Sequence, residues 1–175
     1  MEKLEIERKW LVPGEVRIPG FIEYKTYRIA QMYLLSEKRE RLRIIHDNLG
    51  DRFIHTIKRP AAGGGNWEWE RELSVKEFYD MTARIDPECR ILTKERVEFW
   101  VAGKKWELDK FIYPVSFQIL EVELSGFDER VTIPSFIEKS IEVTNIKGFS
   151  NKRIASKPDV AVKKAESLIM GNGSF

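Results

Sequence analysis

Residues 4–10 read Leu4-Glu5-Ile6-Glu7-Arg8-Lys9-Trp10. Charged and apolar side chains alternate along this stretch. In a strand, Glu5, Glu7 and Lys9 share one face while Leu4, Ile6 and Trp10 share the other. Period 2 is the strand signature, and it continues through most of the chain. It predicts strands over 3–12, 26–35, 40–47, 51–59, 67–73, 90–101, 104–112 and 116–125. Turn residues separate them: Pro13-Gly14, Pro19-Gly20, Asp47 to Gly50, Ala61 to Asn66 and Ala102-Gly103. Two of these, Asp47 to Gly50 and Ala102-Gly103, read as hairpin turns, so neighbouring strands run antiparallel.

Helices are few. Ser74-Val75-Lys76-Glu77 reads as a capping box, and Phe78, Met81 and Ile85 continue it as an apolar stripe to a stop at Pro87. Shorter helices are expected after Pro134 (Ser135 to Lys139), from Ser150 through Lys152 and Ile154, and over Val160 to Ile169. Gly171-Asn172-Gly173-Ser174 reads as a mobile tail. The chain divides into a strand-rich domain over 1–157 and a C-terminal helix and tail over 158–175.

Composition narrows the function classes. The 175 residues carry 30 Lys and Arg against 28 Asp and Glu, a net charge of only +2. That balance argues against a nucleic-acid coat, which shows a basic excess. Charged residues reach 33%, above the roughly 25% of an average domain. The 42% hydrophobic content is ample for a core and excludes disorder. One cysteine, Cys89, excludes an internal disulfide and a Cys-rich zinc site. Neither a signal peptide nor a membrane span is readable, so a cytoplasmic protein is expected.

Strand parity gives the charges an address. Arg41 and Arg43 share a face, as do Glu68, Glu70 and Glu72, and Lys94, Arg96 and Glu98. Glu107 pairs with Asp109, Glu121 with Glu123, and Thr56 with Lys58. A half-solvated sheet accounts for any one of these. The set is different, because like charges two residues apart repel unless counter-charges face them. A closed antiparallel barrel with these faces inward satisfies every pair. Its apolar faces then lie outside, under the helices and a second subunit, which makes a homodimer an expectation. Basic residues suit phosphate oxygens, and clustered carboxylates suit a hard divalent cation such as Mg²⁺ or Mn²⁺.

Glu5-Ile6-Glu7-Arg8-Lys9 resembles the E-x-E-x-K signature of the CYTH superfamily, the triphosphate tunnel metalloenzymes. Ordered pairs extend the likeness: Gln31-Met32-Tyr33-Leu34, Arg41/Arg43, Lys58, Glu70/Glu72, Lys94/Arg96, Glu107/Asp109, Glu121/Glu123 and Phe149-Ser150-Asn151-Lys152. It covers roughly residues 3–155 and departs mainly at Met32, where the usual strand has Gly. The resemblance implies an α+β, mainly antiparallel, eight-stranded tunnel that binds a triphosphate with Mg²⁺ or Mn²⁺. Glu5, Glu7, Glu121 and Glu123 are then the metal candidates. Lys9, Arg41, Arg43, Lys58, Lys94, Arg96 and Lys152 hold phosphates, and Glu70, Glu72, Glu107 and Asp109 support them. Lys9, Glu7 and Glu123 are the catalytic candidates.

Three functions follow from the resemblance. A metal-dependent inorganic tripolyphosphatase comes first, with thiamine triphosphatase as a relative. A class IV adenylyl cyclase comes second, because only four residues precede Glu5 and leave no room for the cyclase His-Phe. A non-catalytic polyphosphate-binding module comes third, since pure phosphate binding does not need so many carboxylates.

The remaining motifs read as structural. Gly63-Gly64-Gly65 lacks the rest of a phosphate loop and reads as a hairpin tip. His46, His55 and Cys89 have no ligand-spaced partners. Trp10, Trp69, Trp100 and Trp106 are expected on the outer face, with Trp67 near a tunnel mouth.

Overall fold

The computed structural model describes residues 2–171. Eight long strands form in chain order: β1 (Glu2–Leu11), β2 (Tyr24–Tyr33), β3 (Arg39–Asp47), β4 (Gly50–Pro60), β5 (Asn66–Leu73), β6 (Leu92–Val101), β7 (Lys104–Tyr113) and β8 (Gln118–Leu124). A two-residue β9 (Ile141–Glu142) follows. The sheet order is β5-β4-β3-β2-β6-β7-β8-β1-β9, and pairing of β5 with β1 closes an antiparallel barrel. The expected eight-stranded tunnel is the observed fold, with strand limits within one or two residues of the sequence pattern for most strands.

Closure is asymmetric. β8 accompanies β1 from Ile6 to Leu11, whereas β5 reaches only Glu2 to Glu5 on the other edge. β9 takes that edge again at Trp10 and Leu11. Between them the β1–β5 seam is open. Gly65 permits the close approach that seals its lower part. A Cβ there would stand 2.7 Å from the Glu5 carbonyl oxygen, and its φ of +71° is one that side chains disfavour.

The hairpin turns form as expected. Ala102 and Gly103 have φ of 52° and 75°, the paired positive values that match a two-residue turn to strand twist. Ser74 caps α1 (Val75–Thr82), and its side chain and that of Glu77 complete the capping box. The helix ends five residues before Pro87, not at it. Past Thr82 the chain instead pairs with the end of β2: Leu35 N–H donates to Arg84 O and Asp86 N–H to Tyr33 O. No helix follows Pro134 either; a single turn there, Ile137 N–H to Pro134 O, leads into extended chain. Helices α2 (Asn151–Ser156, capped by Ser150) and α3 (Pro158–Gly171) form as expected. Asn172 to Ser174 of the expected tail lie outside the described residues.

Three large apolar clusters hold the barrel, beside a small inward-facing one of Ile29, Ile45 and Ile54. On the outside of β1, β6, β7 and β8, Ile6, Trp10, Phe99, Trp106, Leu108 and Val122 are buried. Their cover is not helical, as expected from sequence, but the irregular segments that carry Val16, Ile18, Ile22, Val131, Ile133 and Phe136. On the outside of β2, β3 and β5, Met32, Leu42 and Leu73 pack under Phe78 of α1. The third cluster is internal. Leu11, Tyr33, Leu92, Phe111 and Ile119 continue the inward-facing rows at one end of the barrel, where Phe149, Ile154, Ala161 and Ala165 pack on them. Helices α2 and α3 therefore floor one end of the tunnel. The lumen is not charged throughout, as strand parity alone suggested.

Candidate functional site

Antiparallel register turns the sequence pairs into cross-strand pairs. Lys9 stands opposite Glu121, Glu7 opposite Glu123, Arg41 opposite Thr56, Lys58 opposite Glu68, and Arg96 opposite Asp109. Most charges along a strand thereby meet unlike charges or hydrogen-bonding groups across it, whereas Glu7 and Glu123 set two carboxylates opposite each other. The result is a cavity of about 430 Å³ lined by Glu5, Glu7, Lys9, Arg41, Arg43, Lys58, Glu70, Lys94, Arg96, Glu107, Glu121 and Glu123.

Contacts divide the site into linked groups. Lys9 Nζ lies 2.7 Å from Glu121 Oε1 and 3.0 Å from Glu7 Oε1. Lys58 bridges Glu5 and Glu68, the latter at 2.8 Å. Arg41 reaches Glu68 at 3.3 Å. Arg43 pairs with Glu70, and Thr56 Oγ1 donates to the same carboxylate at 3.0 Å. Arg96 grips Asp109 with two N–H donors, at 2.7 and 2.8 Å, and also pairs with Glu107. Lys94, in the cavity wall, pairs with Asp109 behind it, and both side chains are essentially inaccessible to solvent.

Burial and neighbouring charge set protonation. Burial pushes the Glu7 carboxyl up, but the Lys9 and Lys58 ammoniums offset this and hold it at about 2. For Glu5 burial prevails, with Glu7 and Glu68 adding to it against Lys58, and the carboxyl is raised. Two adjacent carboxylates of β1 are thus driven apart. Burial disfavours the Lys9 charge, yet Glu121 and Glu7 outweigh it and raise the ammonium above its ordinary value. Arg43 is lowered to about 10 by burial and by Arg41 beside it.

Most sequence candidates converge, with three departures. Lys152 lines a second cavity, and its Nζ sits 5.6 Å from the centre of the Tyr33 ring. Asp109 lies beneath the cavity wall, wholly buried. Glu72 lines neither cavity and is exposed, because β5 has passed the charged ring where Glu72 faces Ile54. Trp100 is also corrected. It shares parity with Glu98 rather than with the outer face, and Lys25 stands 5.8 Å over its ring.

Several lining residues were not assigned from sequence: Lys3, Glu68, Glu98 and Lys105 among the charges, and Tyr27, Gln31 and Asn151 among the rest. Parity already set Glu68 and Glu98 on the inward faces, and extended along β1 and β7 it sets Lys3 and Lys105 there too. Asn151 had no strand signal, because it comes from α2. The other motifs are structural, as expected. His55 is buried against Glu40 at 3.2 Å, His46 meets Asp51 at 2.7 Å, and Cys89 Sγ lies 3.5 Å from Asp86. Burial and Asp86 push the Cys89 thiol up to about 11, away from reactivity.

Among the described residues, no three acidic, His or Cys side chains stand together as a formed metal cluster. The chemistry of the donors nonetheless fits a hard cation: Glu5, Glu7, Glu121 and Glu123 offer only oxygens to one cavity. Lysines occupy them here, with Lys3 at 2.5 Å from Glu123. Cation and lysine would share the same oxygens. No helix is long and apolar enough to cross a membrane among the described residues.

No protein-family model and no curated protein matches the chain. Solved structures do. The inorganic triphosphatase NE1496 is 26% identical, with 87% of this chain and 95% of that one covered, at a TM-score of 0.57. HpAC1 from Hippeastrum, proposed as an adenylyl cyclase and described as having a dominant triphosphatase activity, is 17% identical. That match covers 70% of this chain and 80% of the other, at a TM-score of 0.52. A proposed adenylate cyclase from Bacillus halodurans is 20% identical over 71% and 82%, at 0.50. The latter two bear on the fold alone.

Proposed function

We propose that this chain, a triphosphate-tunnel protein of the CYTH superfamily, hydrolyses triphosphates, with inorganic tripolyphosphate as the preferred substrate. The observation that carries this is a pair of buried donors without acceptors. Among the described residues Arg41 Nε and Arg43 Nε have no hydrogen-bond partner, although both guanidiniums line the cavity. A buried N–H left unpaired is costly, and a phosphate oxygen is the acceptor that guanidinium geometry suits best. The 26% identity with the triphosphatase NE1496 supports the same substrate class.

The chain's own residues account for charge and position. Arg41, Arg43, Arg96 and Lys58 neutralise the phosphates and hold them in line. Lys9 serves as a fixed positive charge beside the leaving phosphate rather than as an acid, because its two carboxylates keep it protonated. Glu70 and Glu107 keep Arg43 and Arg96 aimed inward. Glu5, Glu7, Glu121 and Glu123 would hold Mg²⁺ or Mn²⁺. That cation would supply Lewis acidity to the phosphates and lower the pKa of an attacking water. Water adds to the terminal phosphorus, the P–O–P bond breaks, and orthophosphate and pyrophosphate leave.

One observation favours a second possibility, an organic triphosphate. Tyr27, Ile29 and Ile45 form an apolar strip on the cavity wall, a surface that inorganic phosphate does not need. A panel of tripolyphosphate, thiamine triphosphate and ATP, each with Mg²⁺ and Mn²⁺ and with product identification, separates these. Tripolyphosphate is expected to be turned over fastest. Cyclic AMP from ATP would move the assignment to a cyclase, and full turnover in EDTA would remove the metal.

A further inference from the structure

The second cavity, of about 570 Å³, adjoins the first and shares Glu7, Lys9, Arg41, Lys58 and Asn151 with it. Its other walls come from Asn66, at the point where β5 leaves β1, and from residues 143–153 beyond β9. It therefore borders the open stretch of the β1–β5 seam, beside the apolar floor of the tunnel.

Its charge differs in kind from that of the tunnel. There, basic residues alternate with carboxylates that balance them. Here Arg39, Lys147, Lys152 and Arg153 join the shared cations, and among the described residues Glu7 is the only carboxylate in the wall. Among the described residues none of these four makes a salt bridge; Arg39 meets only Asn66 Oδ1, at 3.4 Å. Four cations converging without counter-charges repel one another, and an anion relieves that repulsion. The wall is also held in place. Lys164 of α3 donates to the Lys147 carbonyl, and Phe149 is buried in the floor cluster. With one carboxylate available, this opening is suited to anions neutralised by protein rather than by metal.

We infer that the second opening binds phosphates beyond the third, so that linear polyphosphates of four or more units bind through both cavities at once. The first three phosphates rest on the triphosphate site proposed above. The shared residues Lys9, Arg41 and Lys58 lie where the two stretches of such a chain meet. The extra contacts are with exposed Arg39, Lys147 and Arg153 and half-buried Lys152, so they weaken with salt and do not require a divalent cation.

The test is calorimetric binding in EDTA at low salt, with tripolyphosphate, tetrapolyphosphate and a longer linear polyphosphate. The wild-type chain is expected to bind the longer chains about tenfold more tightly than tripolyphosphate. An Arg39→Gln/Lys147→Gln variant, altered only at exposed positions, is expected to lose that gap while keeping its tripolyphosphate affinity and turnover. A Lys139→Gln/Lys163→Gln variant, with the same charge loss elsewhere, is expected to keep it. Equal affinity for all chain lengths overturns the inference, as does equal loss in both variants. A gap that survives Arg39→Gln/Lys147→Gln also overturns it. If tripolyphosphate is not hydrolysed but the gap is present and sensitive to that variant, the second opening stands and the hydrolase assignment falls.

Discussion

Two groups of buried ion pairs between inward-facing strand residues behave differently. One is Lys94 and Asp109, which Arg96 also grips from the cavity side; the other is Lys9, Lys58, Glu5 and Glu7. In the first, Asp109 accepts from both cations and is held well below the usual carboxylate range by Arg96 and Lys94 against its burial. Lys94 is lowered to about 8, chiefly by burial. Neither Lys94 nor Asp109 reaches solvent. In the second, Glu7 remains 25% exposed and Lys9 12%. A fully enclosed pair has nothing to exchange with, so it fixes the barrel wall. A pair open to a cavity can trade its partner for a phosphate or a cation, so it can serve chemistry. Access, rather than residue type, separates structural from functional charge.

The largest expected effect tests the enclosed group. Asp109→Ala leaves Lys94 and Arg96 buried with too few counter-charges, and about 3–5 kcal/mol of stability is lost in denaturant unfolding. A loss below about 1 kcal/mol would erase the distinction. Next, Glu7→Gln probes the open group. Phosphate release from tripolyphosphate is expected to fall about a hundredfold or more. The melting temperature should move little, because Lys9 keeps Glu121. A variant that unfolds instead would make Glu7 structural too.

A buried pair outside the tunnel extends the contrast to pH. His55 is lowered from its ordinary value by burial, which outweighs Glu40. The unfolded chain, with the higher His pKa, binds the proton first as pH falls. Stability is therefore complete above about pH 6.5 and declines as pH drops from there toward the lower folded value. Urea unfolding across that window should show the slope, and His55→Gln should flatten it. The smallest effect belongs to Glu72→Ala, which is expected to change stability by no more than about 0.5 kcal/mol and to leave turnover unchanged. A clear loss of activity would return Glu72 to the site.

Much of this was legible beforehand. Strand parity placed Glu5, Glu7 and Lys9 inward because a strand has only two faces, and register then carried the pattern around the barrel. The capping box at Ser74 was readable because it is local. The end of α1 was not, since pairing of residues 84–86 with the end of β2 outcompetes another helical turn. Pro134 started no helix for a related reason: Ile133, Phe136 and Ile137 are needed as a cover for the outer cluster. Trp100 shows that parity must be applied to every residue of a strand, aromatic or not.

By itself the sequence determined the number and limits of the eight long strands, their antiparallel sense and most of the inward set of charges. Those depend on local periodicity and on turns that span a few residues. The tertiary structure alone decided which charges are sealed and which face a cavity. It placed an apolar floor at one end and left the β1–β5 seam open beside a cluster of uncompensated cations. Those features depend on where α2, α3 and residues 143–153 pack against strands far away in the chain. No spacing within a strand encodes that distance.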